Sequence, residues 1–283
     1  MPRCTPPQCG NSLSRRSTQG TGDWGAEEQR SRGAVNFSPL PFVPNPQSPM
    51  PNAQIKLGVK TMPVEQRSYE TNNGSLPYLF SPVSDNANKP ATLVLFLHGG
   101  RDRGTDLNVL LKWGLPRFVD SSNSLPYVFA APQIPAEQTW ADRADDVLAL
   151  LDELIASQPV DPARVILAGF SLGSAGIWHI AALHPDRFAG LVPVSGRVPK
   201  TLEESELAAL KDIPVQIFQG GQDKNLPIED TENFVERLRK VGGKVDLTVL
   251  PDGDHFIADE VYGDPRLQQW LISQNRREIS VVV

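Results

Sequence analysis

Ser171, Asp223 and His255 are the residues of this 283-residue chain whose types, neighbours and order could perform nucleophilic catalysis. A serine hydroxyl becomes a useful nucleophile only when a base takes its proton, and the base needs an acid to fix its tautomer. Ser171 stands in Gly169-Phe170-Ser171-Leu172-Gly173, a G-x-S-x-G pattern. Alone the pattern is weak, since at ordinary glycine content about one chain in ten of this length contains it by chance. Its setting adds the specificity. The apolar run Val165-Ile166-Leu167-Ala168 leads into it, and an apolar stretch from Ala175 to Leu183 follows. That order predicts strand, sharp turn and helix, with the serine lifted above a sheet. The helix start beneath it would offer unpaired N–H groups and a positive dipole end to a developing oxyanion. The plainer alternative is an ordinary turn whose serine caps the helix.

Four histidines are present: His98, His179, His184 and His255. His179 and His184 fall on or at the end of the helix after Ser171, and His184 precedes Pro185, which ends it. His255 lies in the loop Pro251-Asp252-Gly253-Asp254-His255-Phe256 after the last expected strand, where a general base could reach over the sheet edge. Asp223, in Gly220-Gly221-Gln222-Asp223 after the strand Val215–Gln219, is the candidate acid. Asp252 and Asp254 compete for that role, but near neighbours of a histidine seldom have room to reach its far ring nitrogen. Capping of the helix near 229 is the alternative role for Asp223. The chain order Ser, Asp, His is one of the orders in which such triads occur.

The run Leu93–Leu97 leads into His98-Gly99-Gly100-Arg101-Asp102-Arg103-Gly104. Glycines at a strand end let backbone N–H groups come close to a substrate oxygen. An oxyanion hole is therefore expected from the N–H of Leu172 with that of Gly99 or Gly100. His98 reads as a buttress of this loop. Arg101 and Arg103 could hold an acidic substrate group, although pairing with Asp102, Asp106 or solvent is the plainer expectation. Trp140, Arg197 and Leu226 are further candidates for lining a substrate cleft, with a packing role the equal alternative for Trp140 and the same two readings open for the other two.

These residues need a scaffold, and the sequence supplies its pattern. Alternating stretches at 54–60, 64–70 and Leu76–Pro82, with Asn72-Asn73-Gly74 as a turn, predict an antiparallel start. Strands follow at Thr92–Leu97, Tyr127–Ala131, Arg164–Ala168, Gly190–Val194, Val215–Gln219 and Val245–Leu250. Helical spacing occupies Asp106–Trp113, Arg143–Ala156, 172–183, 202–210, 230–241 and 265–273. Such alternation predicts an α/β fold with a mainly parallel central sheet of about eight strands and helices on both faces. Candidate residues then collect where they should, at the C-terminal strand ends. Only Gly196 to Ile213 separates two successive strands near the site, which leaves no room for a large cap domain.

Leu95–Gly104 with Leu107 to Gly114, then Gly169–Gly173, then Asp186-Arg187-Phe188-Ala189-Gly190, resembles the phospholipase/carboxylesterase and prolyl-oligopeptidase-like esterases of the α/β-hydrolase superfamily. Dienelactone hydrolases are relatives, but they carry cysteine where Ser171 stands here. The resemblance covers about residues 64–275. It implies an α/β-hydrolase fold and ester hydrolysis through an acyl-enzyme, with no metal and no organic cofactor. With no large lid, short-chain or aromatic acyl esters are the expected substrates, small or borne on a polymer. A small serine peptidase or amidase, or a binding module that kept the fold, are the alternatives.

Residues 1–52 are rich in Pro, Gly, Ser, Gln and Arg and read as a disordered or loosely packed extension, with residues 53–283 as the catalytic domain. Cys4 and Cys9, the two cysteines, lie in that extension, so no disulfide framework is expected. A formal net charge of −6 without a Lys/Arg stripe argues against a nucleic-acid partner. No run approaches the roughly 18 apolar residues of a membrane span. No apolar segment follows the N-terminal arginines, so a cytoplasmic location is the reading, or secretion if Met50 or Met62 is the true start.

Overall fold

The computed structural model describes residues 64–279 apart from 86, 89, 123 and 201. The expected extension over 1–52 and the strand at 54–60 lie outside the described residues. Eight strands form one sheet: β1 (Glu65–Thr71), β2 (Gly74–Ser81), β3 (Ala91–Leu97), β4 (Tyr127–Pro132), β5 (Val160–Phe170), β6 (Gly190–Val194), β7 (Val215–Gly220) and β8 (Val245–Leu250). Their order across the sheet is β1-β2-β4-β3-β5-β6-β7-β8. β1 and β2 form an antiparallel hairpin whose register closes at Thr71 opposite Gly74, and β2 also runs antiparallel to β4. All remaining pairs are parallel.

The helices are α1 (Gly114–Asp120), α2 (Ala144–Ser157), α3 (Leu172–Leu183), α4 (Glu204–Leu210), α5 (Ile228–Lys240), α6 (Ala258–Gly263), α7 (Pro265–Ser273) and the short α8 (Arg276–Ile279). Every residue of β3 is buried, as a strand covered on both faces requires. Its side chains alternate between two cores. Leu93, Leu95 and Leu97 pack with residues of α2 to α5, such as Val147, Ile177, Leu207 and Phe234. Val94 and Phe96 pack with residues of α1, α6 and α7, such as Leu115, Val261 and Leu267. The helix after β3 thus lies on one face and the helix after β5 on the other. Adjacent parallel strands that send their chains to opposite faces leave a crevice between them, and the loops carrying Gly99, Gly100 and Ser171 border it.

Four details differ from the sequence pattern. The helical spacing at 106–113 is realised as a 3₁₀ helix over Leu107–Lys112, capped by Asp106, whose side chain accepts the Asn108 N–H. α1 was hidden by Gly114 and Pro116 within its first turn, a position where proline is tolerated. α6 is too short for a periodic signal. β5 begins earlier than the apolar run, because a register shift between Ala91 and Leu93 accommodates its start around Pro162. Among the described residues, the chain between β6 and β7 forms only α4, and no large cap stands over the sheet edge.

Gly176 shows how tightly α3 is seated. It lies inside the helix, where glycine ordinarily costs about 1 kcal/mol relative to alanine. A methyl group there would run into the Cβ of Trp140, which is 1% exposed. Gly176→Ala should therefore lower stability by about 1–3 kcal/mol, the usual cost of overpacking, rather than raise it. Urea unfolding midpoints of the two proteins measure this; a stabilised variant would show that α3 can ride higher on the sheet than its seat implies.

Candidate active site

The turn after β5 is strained. Ser171 has φ 54° and ψ −109°, a backbone conformation that side-chain-bearing residues rarely adopt. Its neighbours hold it there. The Ser171 N–H donates to the Val194 carbonyl of β6 (2.9 Å). A side chain on Gly173 would collide with the Leu97 carbonyl oxygen of β3, and one on Gly169 would come within 2.9 Å of the same atom. The buried Ser174 hydroxyl lies 3.0 Å from the Gly169 carbonyl and accepts the Val194 N–H at 2.9 Å. Tyr262 donates to the Gly169 carbonyl from α6 (3.2 Å). Ser171 occupies the N-cap position of α3 but its side chain makes no capping bond. Its hydroxyl turns instead toward His255.

His255 Nε2 lies 3.0 Å from the Ser171 Oγ, and His255 Nδ1 lies 2.7 Å from Asp223 Oδ2. The Asp223 side chain is fully buried, and its other oxygen accepts the N–H groups of Asn225 (2.8 Å) and Leu226 (3.2 Å). Asp223 therefore caps a local turn with one oxygen and faces the imidazole with the other. The two loops that carry the pair are knitted together. Gly221 N–H donates to the Leu250 carbonyl and Gln222 N–H to the Gly253 carbonyl, at 2.7 and 2.8 Å. Asp254 accepts the Phe256 N–H and so shapes the loop without serving the imidazole. His179 is exposed on α3, and His184 ends that helix.

The loop after β3 is braced by buried side chains. His98 is 1% exposed. Its Nδ1 donates to the Gly99 carbonyl (2.7 Å), while Nε2 accepts the Ile134 N–H (3.2 Å), which defines the tautomer. Burial lowers its pKa to about 4, with the Gly99 bond opposing and the Arg103 charge adding to the shift. Burial likewise raises the carboxyl of Asp102, opposed by the Trp113 indole N–H (3.1 Å to Oδ1) and by the Gly99 N–H. Gly99 thus turns its N–H toward Asp102. Gly100 packs against Leu172, which sits at the first helical position of α3. Arg103 donates to the carbonyls of Gly100 (3.0 Å) and Gln138 (3.1 Å), so it braces this loop. The expected pairing of Arg103 with Asp102 or Asp106 is replaced by these backbone contacts.

A cleft of about 470 Å³ opens over Ser171 and His255. Of the sequence candidates, Gly99, Gly100, Leu172, Arg101, Arg197 and Leu226 line it. Trp140 does not. It is buried beneath α3, its ring packs on His98 at 4.9 Å, and its indole N–H donates to the His98 carbonyl (3.1 Å). Trp140 supports the glycine loop from below and cannot meet a substrate.

One wall of the cleft is aromatic and was not anticipated. Trp113 and Phe256 stack with centroids 5.1 Å apart, and Phe170 packs on both Trp113 (5.7 Å) and the His255 ring (5.3 Å). Phe170 and Phe256 are sequence neighbours of Ser171 and His255, which was the available signal. Trp113, in a loop fifteen residues after His98, gave none.

The chain has the α/β-hydrolase fold. The model of the phospholipase/carboxylesterase family matches residues 128–264, a stretch that includes Ser171, Asp223 and His255 and leaves out the Gly99–Gly100 loop. The chain is 36% identical over 85 residues to NocK of Nocardia uniformis subsp. tsuyamanensis, a protein named as an esterase, covering 30% of this chain and 24% of NocK. It is 31% identical over 105 residues to a protein of Salmonella typhimurium named as a carboxymethylenebutenolidase, covering 35% of this chain and 39% of that one. The chain matches well under half the length of these curated relatives. A thermostable esterase of solved structure superposes with a TM-score of 0.62 at 24% identity, over 75% of this chain and 63% of that one. The matched family model and these named proteins are of hydrolases, esterases among them. Among the described residues, no helix is long and apolar enough to cross a membrane.

His98 carries a pH signature. Its folded pKa of about 4 lies below the ordinary imidazole value of 6.5, so the native state resists a proton that the unfolded chain accepts. Stability from this group is complete above pH ~6.5 and lost as pH falls toward ~4, by up to roughly 3 kcal/mol. Urea midpoints across that range should fall steeply for the native protein and less steeply for His98→Asn. Equal slopes would remove His98 as the cause.

Proposed function

We propose that the protein is a serine carboxylic-ester hydrolase that works through an acyl-enzyme. The observation that carries this reading is the continuous contact Asp223–His255–Ser171 at the rim of the cleft. In this mechanism His255 Nε2 takes the Ser171 proton as Oγ adds to the ester carbonyl carbon. The carbonyl π pair moves to oxygen. The Leu172 N–H, with that of Gly99 or Gly100, holds that oxyanion. Asp223 keeps the imidazole oriented and stabilises its positive charge. The tetrahedral intermediate collapses, the C–O bond to the alcohol breaks, and His255 gives the departing oxygen its proton. Water then enters, loses a proton to His255, and adds to the acyl-enzyme. Release of the acid returns the proton to Ser171.

Substrate size follows from the cleft. About 470 Å³ takes a small ester, and only α4 stands between β6 and β7, so no large cap covers it. The Trp113–Phe256–Phe170 wall favours a flat or short apolar acyl group. The ester is taken as a small molecule or as a group borne on a polymer, since the rim is open. Leu226, held by the turn that Asp223 caps, supplies apolar surface on another side of the cleft. An assembled triad weighs against a binding module without catalysis.

Ser171→Ala should abolish p-nitrophenyl acetate turnover and labelling by a fluorophosphonate probe. Asp223→Asn should keep the fold and lower kcat by about 10⁴-fold. Turnover by purified Ser171→Ala at more than a few per cent of the native rate would remove Ser171 from its role.

A further inference from the structure

We infer that the cleft is specific for esters that carry a fixed negative charge, a carboxylate or a phosphate, held by Arg197 and Arg101. This inference rests on the ester-hydrolase reading above. Both arginines line the cleft that contains Ser171, and both are exposed. Among the described residues neither forms a salt bridge or a hydrogen bond. That is against the grain of the chain, whose formal net charge is −6. Other arginines, such as Arg67, Arg117, Arg143 and Arg187, are paired with carboxylates.

Neither is locked in a salt bridge, although the Arg101 charge acts on the neighbouring Asp102 carboxyl. The Arg101 guanidinium lies 5.2 Å over the Phe256 ring, which itself stacks on Trp113. A cation–π contact uses the flat face of the guanidinium and leaves its N–H fork free for a carboxylate or phosphate. Arg197 is placed by strained backbone. Ser195, two residues earlier, has φ 45° and shares with Ser171 the distinction of being a described non-glycine residue with positive φ. Its N–H donates to the Phe218 carbonyl (2.9 Å), while its buried hydroxyl has no partner. Gly196 has no room for a side chain, because one would run into Ser174 and come within 3.1 Å of the Ser171 carbonyl oxygen. Strain of this kind persists only where neighbouring structure enforces it, often beside functional groups. Here it wedges the loop against the nucleophile turn and delivers Arg197 to the cleft. Arg101 follows β3 and Arg197 follows β6, the two strands that flank β5. Ser171 therefore sits between the loops that bear the two charges.

The test uses three esters with one leaving group: p-nitrophenyl butyrate, mono-p-nitrophenyl glutarate and the p-nitrophenyl ester of 3-phosphonopropanoic acid. The native protein should show kcat/KM about tenfold or more higher for an anionic ester than for the butyrate, and the two anions distinguish carboxylate from phosphate chemistry. Raising salt from about 0.05 to 0.5 M should erode that ratio, since both charges are exposed. Arg197→Gln and Arg101→Gln should each reduce the ratio several-fold, and Arg197→Lys should restore part of it. A ratio at or below one, or a ratio unchanged in both glutamine variants, overturns the inference. If none of the esters is turned over in a Ser171-dependent manner, the ester-hydrolase reading fails instead. Calorimetry on Ser171→Ala then decides the charge preference without turnover: binding of glutarate that is lost in the Arg197→Gln double variant supports it, and no binding overturns it.

Discussion

The site depends on one close approach: the backbone of α3's first turn against the backbone of β3. Gly173 lies so near the Leu97 carbonyl that no side chain fits between them. That contact brings the two strand ends together and lets the loop after β3 and the turn after β5 share one space. It also confines Ser171 to its unusual backbone angles. A strained residue relaxes unless its surroundings over-determine it. Here the Val194 carbonyl, the Ser174 hydroxyl and the Tyr262 hydroxyl all act on the same short segment. These tethers come from β6, from α3 itself and from the helix after His255. The strain is therefore shared by most of the elements that border the cleft.

The acid–base pair is set by the same means at the other side. Gly220 cannot accept a side chain without striking the Asp254 carbonyl. The loops after β7 and β8 are pressed together, and two backbone hydrogen bonds join them. Asp223 needs both of its oxygens used to remain buried as an anion. The Asn225 and Leu226 N–H groups serve one oxygen and the imidazole serves the other. Moving either loop by an ångström would expose or orphan this carboxylate. Stability of the turn and orientation of the base are thus one requirement.

Much of this was legible in residue types and spacing, for physical reasons. The seven buried residues of β3 and the run before Gly169 read as strands because a parallel sheet is apolar on both faces. The triad was legible because its members sit at strand ends, with glycines marking where chains must touch. The aromatic wall was not, since Trp113 reaches Phe256 only through the fold. Trp140 was misread for a related reason. An aromatic residue before a helix can face either way, and the cue to its direction was a glycine thirty-six residues later. Gly176 has no local reason to interrupt α3, and the hollow it leaves is filled by Trp140.

Beneath the glycine loop the structure keeps charge low, and this bears on how an oxyanion would be held. His98 is buried and pushed toward neutrality, and burial works against the charge on Asp102. A full negative charge a few ångströms below the hole would oppose the developing oxyanion in a medium of low dielectric. Asp102 is instead bonded by Trp113 and faced by the Gly99 N–H, both of which spread or offset its charge. Arg103 donates to the Gly100 carbonyl, which polarises that peptide. Fixed backbone dipoles would hold an oxyanion there without rearranging as charge develops. The loop then needs rigid support more than it needs charge, and Trp140, braced by α3 and bonded to the His98 carbonyl, provides it.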